Sequence, residues 1–176
     1  MESPRDDPDS MTAGVASRAR SPAVTGLRRV TTGALALFVA LGLVGALGVR
    51  TATATADEAG FTLTLDYPAV ARAGLDVRWE LHVTKPGGFG DGVTIALTAD
   101  YFSIFETQGW YPDPATQTRG ADLLLLTFDP PPGEEFVLGF DAYIQPASQR
   151  GAPGSAAIWL DGREVARIDY NTRLVP

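Results

Sequence analysis

The sequence predicts an all-β domain over residues 61–176, an antiparallel β-sandwich of seven or eight strands, preceded by one transmembrane helix at residues 30–49. Apolar and polar residues alternate with a period of two from Phe61 onward. Clusters of Gly, Pro and Asp separate the alternating stretches, and a run of twenty uncharged residues precedes them. Short strands separated by turn residues in this way are typical of a β-sandwich.

The alternation gives each expected strand an apolar face and a polar face. Trp79 and Phe140 occupy the apolar faces of their stretches, so we expect both in the core, whereas His82 falls on a polar face. Asp161-Gly162 joins the last two stretches, and such a dipeptide between strand patterns is a strong hairpin signal. The apolar pieces lie at residues 61–67, 75–83, 93–99, 101–105, 123–128, 136–144, 155–160 and 164–170.

The uncharged run at residues 30–49 is long enough to cross a membrane. As a helix it would extend for roughly 30 Å, the thickness of a hydrocarbon core. Four arginines precede it closely and one, Arg50, follows it. The positive-inside rule therefore predicts a single-pass protein in the cell membrane, with a cytoplasmic N-terminus and an extracytoplasmic C-terminal domain.

A cleaved signal peptide is the alternative interpretation of the same segment. Ala54-Thr55-Ala56 has the small-x-small form of a cleavage site. The apolar run is longer than the usual 7–15 residues of a signal peptide, and Arg50 lies between the run and the candidate site. These two features favour a retained anchor, and either interpretation exports the β domain.

Two polar segments flank the predicted helix. Residues 1–29 are rich in Pro, Ser, Asp, Arg and Ala without apolar periodicity, which predicts a disordered cytoplasmic tail. Residues 50–60 (RTATATADEAG) are interpreted as a short polar linker. A flexible linker of this length reaches only about 15–20 Å, so the domain would work close to the bilayer.

Composition excludes several kinds of chemistry. The chain has no cysteine, which removes disulfides, thiolate metal sites and thiol nucleophiles. Residues 50–176 carry a net charge of −8, which disfavours nucleic-acid binding. His82 is the single histidine, no serine lies at a Gly-flanked turn, and no glycine-rich phosphate loop or calcium-loop pattern is present. We therefore expect no catalytic residue, no cofactor and no metal site.

Two stretches carry a resemblance to a known class of domain. Residues 74–98 (GLDVRWELHVTKPGGFGDGVTIALT) and 132–142 (PGEEFVLGFDA) resemble bacterial extracytoplasmic immunoglobulin-like domains, in which a Gly/Pro-rich turn joins two strands and a Pro-Gly step leads into an amphipathic strand. The resemblance implies an immunoglobulin-like sandwich but no catalytic residue. As a whole, the chain resembles uncharacterised single-pass membrane proteins of actinobacteria, and Lys85 as the one lysine among 14 basic residues suits a GC-rich genome.

The leading functional hypothesis is a non-enzymatic envelope protein whose sandwich binds a membrane or cell-surface protein. The predicted binding surface is the sixteen-residue connection from Glu106 to Ala121, which is longer than most connections in compact domains. Trp110, Tyr111 and Arg119 are its candidate contacts, because aromatic residues and arginine dominate binding energy. Trp110 has an alternative role as a lid over the open end of the sandwich.

Two other hypotheses remain open. Exposed aromatic residues on a sandwich can bind carbohydrate or lipid, and Trp110, Tyr111 and Trp159 are the candidates for that function. A hydrolase would require two carboxylates that face one cleft about 5–10 Å apart. The acidic residues fall mostly on outward strand positions, so this hypothesis is the weakest of the three. The sequence leaves the oligomeric state undetermined.

Overall fold

The computed structural model describes residues 22–43, 48–106 and 109–175, which divide into an N-terminal helical unit and a β unit. The helix α1 (Pro22–Leu43) has 22 residues, none of them buried, and is long and apolar enough to cross a membrane. It begins earlier than predicted, so residues 22–29 are helical and the prediction of a disordered tail is wrong for them. Residues 1–21 and 44–47 lie outside the described residues.

The β unit is a sandwich of two sheets, which confirms the predicted fold class. Sheet A has six strands in the order β1-β2-β3-β8-β5, with β11 beside β2, and sheet B has five in the order β10-β9-β4-β7-β6. All pairings are antiparallel except that of β11 with β2. The strands are β1 (Arg50–Glu58), β2 (Phe61–Arg72), β3 (Asp76–Thr84), β4 (Val93–Thr98), β5 (Trp110–Tyr111), β6 (Thr116–Arg119), β7 (Leu123–Phe128), β8 (Glu135–Tyr143), β9 (Pro153–Leu160), β10 (Arg163–Asn171) and β11 (Arg173–Val175).

The core lies between the two sheets and is formed by the apolar faces that the alternation predicts. Trp79 is buried as expected, whereas Phe140 is half-buried at the margin of the core. Leu75, which the alternation assigns to the apolar face, is 41% exposed because β3 begins only at Asp76. The fully buried side chains of the largest volume include Trp79, Tyr101, Leu63, Leu65, Leu81, Ile95, Leu97, Leu126, Leu138 and Ile144.

The predicted hairpin at the end of the chain is confirmed. Asp161 and Gly162 both have positive φ, 50° and 73°, and they connect β9 to β10 as a two-residue loop. Positive φ at both central residues defines the turn whose twist matches that of the flanking strands. Arg163 consequently pairs with Leu160 at the first step of the hairpin.

The linker prediction for residues 50–60 is wrong. Residues 50–58 form β1, which pairs with β2 along its whole length from Arg50–Val70 to Glu58–Phe61. Ala54 and Ala56 are half-buried and pack against the core, while Thr53 and Thr55 are exposed. The segment lacks large apolar residues, and it folds because alternating alanine and threonine still fit a half-buried edge strand.

The number of strands also exceeds the prediction of seven or eight. The additional strands include β1, the short β11, and two inside the predicted connection, β5 and β6. Residues 101–105, predicted as an apolar strand piece, instead belong largely to the 3₁₀ helix η1 (Ala99–Ile104), with only an isolated bridge at Phe105. The 3₁₀ helix buries Tyr101, whose hydroxyl lies 2.8 Å from Thr172 Oγ1.

Candidate functional site

Trp110 and Tyr111 are neighbours in the chain but lie on opposite faces of sheet A. Trp110 is in register with Phe140 of β8, and Phe140 is in register with the buried Trp79, so all three face inward. Tyr111 is in register with Gly139, which is paired with Glu80, so this row faces outward. The two candidate residues therefore have different environments and different roles.

Trp110 packs against aromatic residues at one edge of the core. Its ring centroid lies 4.6 Å from that of Phe140, 5.1 Å from that of Phe102 and 5.9 Å from that of Trp79. Aromatic rings at these separations stabilise a core beyond the area that they bury. This packing supports the lid hypothesis for Trp110.

Tyr111 is the most exposed large apolar side chain in the described part of the β unit, at 84%. It forms one wall of an open groove of about 590 Å³ on the outer face of sheet A, between β3, β8 and β5. We call this feature the Tyr111 groove. Its polar lining comes from Asp76, Arg78, Glu80 and Asp141.

Gly139 forms the floor of the Tyr111 groove. A Cβ atom at this position would meet only the Tyr111 carbonyl oxygen, at 3.7 Å, so the space above the glycine is open. Glycine in the interior of a strand weakens the sheet and often marks a place where a ligand approaches the backbone. The groove therefore exists because β8 lacks a side chain beside the Tyr111 ring.

Arg78 and Glu80 of β3 line the groove and are hydrogen-bonded to each other, and His82 lies next to them outside it. The Arg78 guanidinium donates to Glu80 Oε1, and His82 Nε2 lies 2.7 Å from the same oxygen. The hydrogen bond from Arg78 is the main cause that holds the pKa of Glu80 below its usual value, and the His82 contact acts in the same direction. The prediction that His82 lies on a polar face is confirmed.

Three carboxylates, those of Asp76, Glu80 and Asp141, line the same groove. Arg78 is in register with Asp141 and Glu80 with Gly139, so Glu80 and Asp141 are diagonal neighbours with Cα atoms roughly 7–8 Å apart. A glycoside hydrolase needs two carboxyl groups that face one cleft, and these two lie on the same face of sheet A. A general acid, however, needs a raised pKa, whereas the pKa of Glu80 is lowered.

The other candidate residues lie elsewhere. Arg119 is at the end of β6 in sheet B, where its guanidinium donates to the carbonyl oxygen of Ala99 at 3.3 Å. Trp159 of β9 is half-buried on sheet B and in register with Thr94. Tyr111 belongs to sheet A, whereas Arg119 and Trp159 belong to sheet B. The structure therefore does not bring these three candidate residues together on one surface.

The other residues of the groove were not predicted as site residues from the sequence. The alternation of polar and apolar residues placed Arg78, Glu80 and Asp141 only on the outward faces of their strands. No local signal in the sequence indicates that β3, β8 and β5 are adjacent. The one available signal was Gly139 in the middle of a strand pattern. Within residues 22–43, 48–106 and 109–175, no group of three His, Asp or Glu residues is arranged to hold a metal ion.

Comparison with known proteins adds no assignment, since no family model and no curated protein matches this chain.

Proposed function

We propose that this chain is a non-enzymatic, membrane-anchored envelope protein whose β-sandwich binds a protein partner through the Tyr111 groove. The observation that carries the proposal is the exposure of Tyr111 on a rigid support. Its strand β5 is held by pairing with β8, while the neighbouring Trp110 is packed into the core. Because the backbone that carries the exposed ring is already ordered, less entropy is lost when the ring meets a partner.

The composition of the groove favours a protein partner. Tyrosine and arginine are among the residue types that dominate interface energies, and here Tyr111 and Arg78 line one shallow groove. Carboxylates at Asp76 and Asp141 provide a polar rim around the aromatic ring. Small-molecule sites are usually enclosed and largely apolar, whereas this groove is open and charged.

The helix α1 supports the proposed anchor. Its 22 residues are apolar enough to span a bilayer, and Arg28 and Arg29 lie in its N-terminal half. By the positive-inside rule the N-terminus is cytoplasmic and the sandwich is extracytoplasmic. A reporter that works only in the cytoplasm should be active when fused at residue 1, and one that works only outside should be active after Pro176. The reverse pattern would refute this orientation, and a mature chain that begins at Asp57 would replace the anchor by a signal peptide.

The pKa of Glu80 excludes this residue as the general acid of a glycoside hydrolase. Three carboxylates line the groove, but Arg78 keeps the pKa of Glu80 low, so this residue stays ionised at neutral pH and cannot act as a general acid. The groove is also open to water on one side. Absence of glycoside hydrolysis by the purified chain is the expected result.

Carbohydrate binding is the second candidate function, and one observation favours it. The Tyr111 ring borders an open floor at Gly139, beside the hydrogen-bonding groups of Arg78, Glu80 and Asp141. A sugar ring could lie against the aromatic face while its hydroxyl groups bond to these side chains. Cosedimentation with insoluble cell-wall glycan separates this function from protein binding.

The test compares Tyr111→Ala with the parent and with Val137→Ala. Val137 is also exposed on the outer face of sheet A but lies outside the groove, so it is a matched control. The three full-length chains are captured from detergent extracts of their native membranes, and the proteins that copurify are identified. We expect a partner that the parent and Val137→Ala retain and Tyr111→Ala loses.

Two outcomes would change the proposal. If the three lists of copurified proteins are identical, the Tyr111 groove is not a protein-binding surface. If Tyr111→Ala loses cosedimentation with glycan and no copurified protein, carbohydrate binding replaces protein binding. Melting curves of all three chains exclude unfolding as a cause of lost binding.

A further inference from the structure

The outer edge of β1 differs from the other strand edges of the sandwich. β5 has two residues and is followed by Pro112, and β6 has four. β10 has nine residues, but its register is irregular between Glu164 and Ala166 and its exposed face is charged. Short length, proline, irregular register and charge all hinder the addition of another strand.

β1 has none of these protections between Thr51 and Ala56, because its one irregularity of register lies at its first step, between Arg50 and Thr51. It has nine residues, its sequence from Thr51 to Ala56 is a strict alternation of threonine and alanine, and its charges are confined to the two ends. Among the residues that the structure describes, β2 is the one strand paired with it. Alternate N–H and C=O groups of β1 therefore point away from β2, and β10 of sheet B lies close to β1 without pairing with it, so these groups are left for a further strand.

The charges at the two ends of β1 indicate which kind of strand could pair with its free edge. Arg50 begins the strand, and Asp57 and Glu58 end it. A second copy of β1 in antiparallel orientation, with Ala54 opposite Ala54, places Arg50 opposite Glu58 at both ends. A parallel arrangement would instead bring like charges together. Since a guanidinium has five N–H donors, Arg50 can bind this carboxylate in addition to contacts within its own chain.

We propose that two copies of this chain associate edge to edge through β1, antiparallel about a twofold axis at Ala54. The two six-stranded sheets then form one continuous sheet across the dimer. The half-buried row of Ala52, Ala54 and Ala56 continues on the inner face of the partner's strand, and the threonines form one row on the outer face. This interface is separate from the Tyr111 groove and does not depend on its function.

Disulfide trapping tests the proposed register directly, because the chain contains no cysteine. In this register Ala54 faces its own counterpart, so Ala54→Cys alone should form a disulfide-linked dimer. Thr53 faces Thr55 of the second copy, so a mixture of Thr53→Cys and Thr55→Cys chains should cross-link more than either chain alone. Thr64→Cys, in β2 on the same sheet, is the control that should remain monomeric.

The end charges provide a second test in the Ala54→Cys background. Glu58→Arg places arginine opposite arginine, and we expect the yield of cross-linked dimer to fall roughly 3- to 10-fold. Arg50→Glu combined with Glu58→Arg restores opposite charges and should restore the yield. All chains are tested at full length in detergent, with circular dichroism to establish that each is folded.

Three results would overturn the proposal. Equal cross-linking at Ala54→Cys and Thr64→Cys would indicate random collision. Cross-linking of Thr53→Cys chains alone that equals the mixture would contradict the register. A dimer in detergent that gives no cross-link at any β1 position would place the association elsewhere, for example in α1.

Discussion

The two edges of sheet A differ in what they expose. At the β5 edge the strand is two residues long, and what it offers to solvent is one side chain, Tyr111. At the β1 edge the strand is nine residues long with small side chains, and what it offers is its backbone. One sheet thus exposes a side-chain surface, the proposed site for a partner, and a main-chain surface, the proposed site for another strand.

The difference arises from how each edge meets the core. β5 anchors itself through Trp110, a large aromatic residue in contact with Phe140 and Phe102, so two residues suffice to hold it. β1 contributes only alanines to the core and is held by its long ladder with β2.

Trp110→Ala should lower the free energy of unfolding more than any of the other substitutions. Removing a half-buried tryptophan leaves a cavity beside Phe140 and Phe102, and we expect the free energy of unfolding to fall by about 2–4 kcal/mol. Urea denaturation of the full chain in detergent measures the loss. A change below about 0.5 kcal/mol would mean that Trp110 contributes to binding rather than to the core.

Ala54→Asp should have a smaller effect on stability and a large one on association. The charge would point inward from a half-buried position on β1, so unfolding becomes easier by about 1–2 kcal/mol. An inward-pointing charge also prevents a second strand from packing at this edge. Sedimentation in detergent should show only monomer, whereas a dimer of unchanged affinity would contradict the association through β1.

Acid should weaken the ion pair that forms one wall of the Tyr111 groove. The folded-state pKa of Glu80 lies below its ordinary value of 4.5, so the contribution of the Arg78–Glu80 pair is complete above that pH and is lost as the pH falls through the lowered pKa. The effect is small because Arg78 is largely solvent-exposed. Melting temperatures from pH 6 to pH 3 should decline less in Glu80→Gln than in the parent, and parallel curves would show that the pair does not stabilise the fold.

His82→Ala should have the smallest effect. The imidazole lies on the outer face of sheet A and contacts Glu80, with its side chain 44% exposed. We expect less than about 0.5 kcal/mol of lost stability, the usual size for a surface position. A loss of several kcal/mol in a denaturation curve would contradict the register of β3 with β8.

The sequence predicted the elements whose alternation involves large apolar residues. Phe61, Leu63 and Leu65 in β2, or Trp79 and Leu81 in β3, identify a buried face because only that arrangement removes them from water. The Asp161-Gly162 turn was equally clear, since its residues tolerate positive φ. These signals are local, and local signals were sufficient for the fold class.

The elements that were missed depend on their neighbours. The Thr-Ala alternation of β1 has a period of two but little hydrophobic contrast, so it became visible as a strand only through its pairing with β2. Trp110 and Tyr111 could be identified as candidates, yet which ring faces inward is decided by the register of β5 with β8. Strand order across a sheet is not encoded locally, and so the groove itself could not be predicted.

The most direct test of the Tyr111 groove is to fill it. Gly139→Val adds a side chain in open space on the outer face, at a position without the positive φ that would demand glycine. Valine also suits the interior of a strand better than glycine, so we expect stability to be unchanged or raised by up to about 1 kcal/mol. Binding affinity for the partner retained by the parent and by Val137→Ala should fall at least roughly tenfold, since the groove is then occupied. Full affinity in a stably folded Gly139→Val chain would contradict the assignment of the groove as the recognition surface.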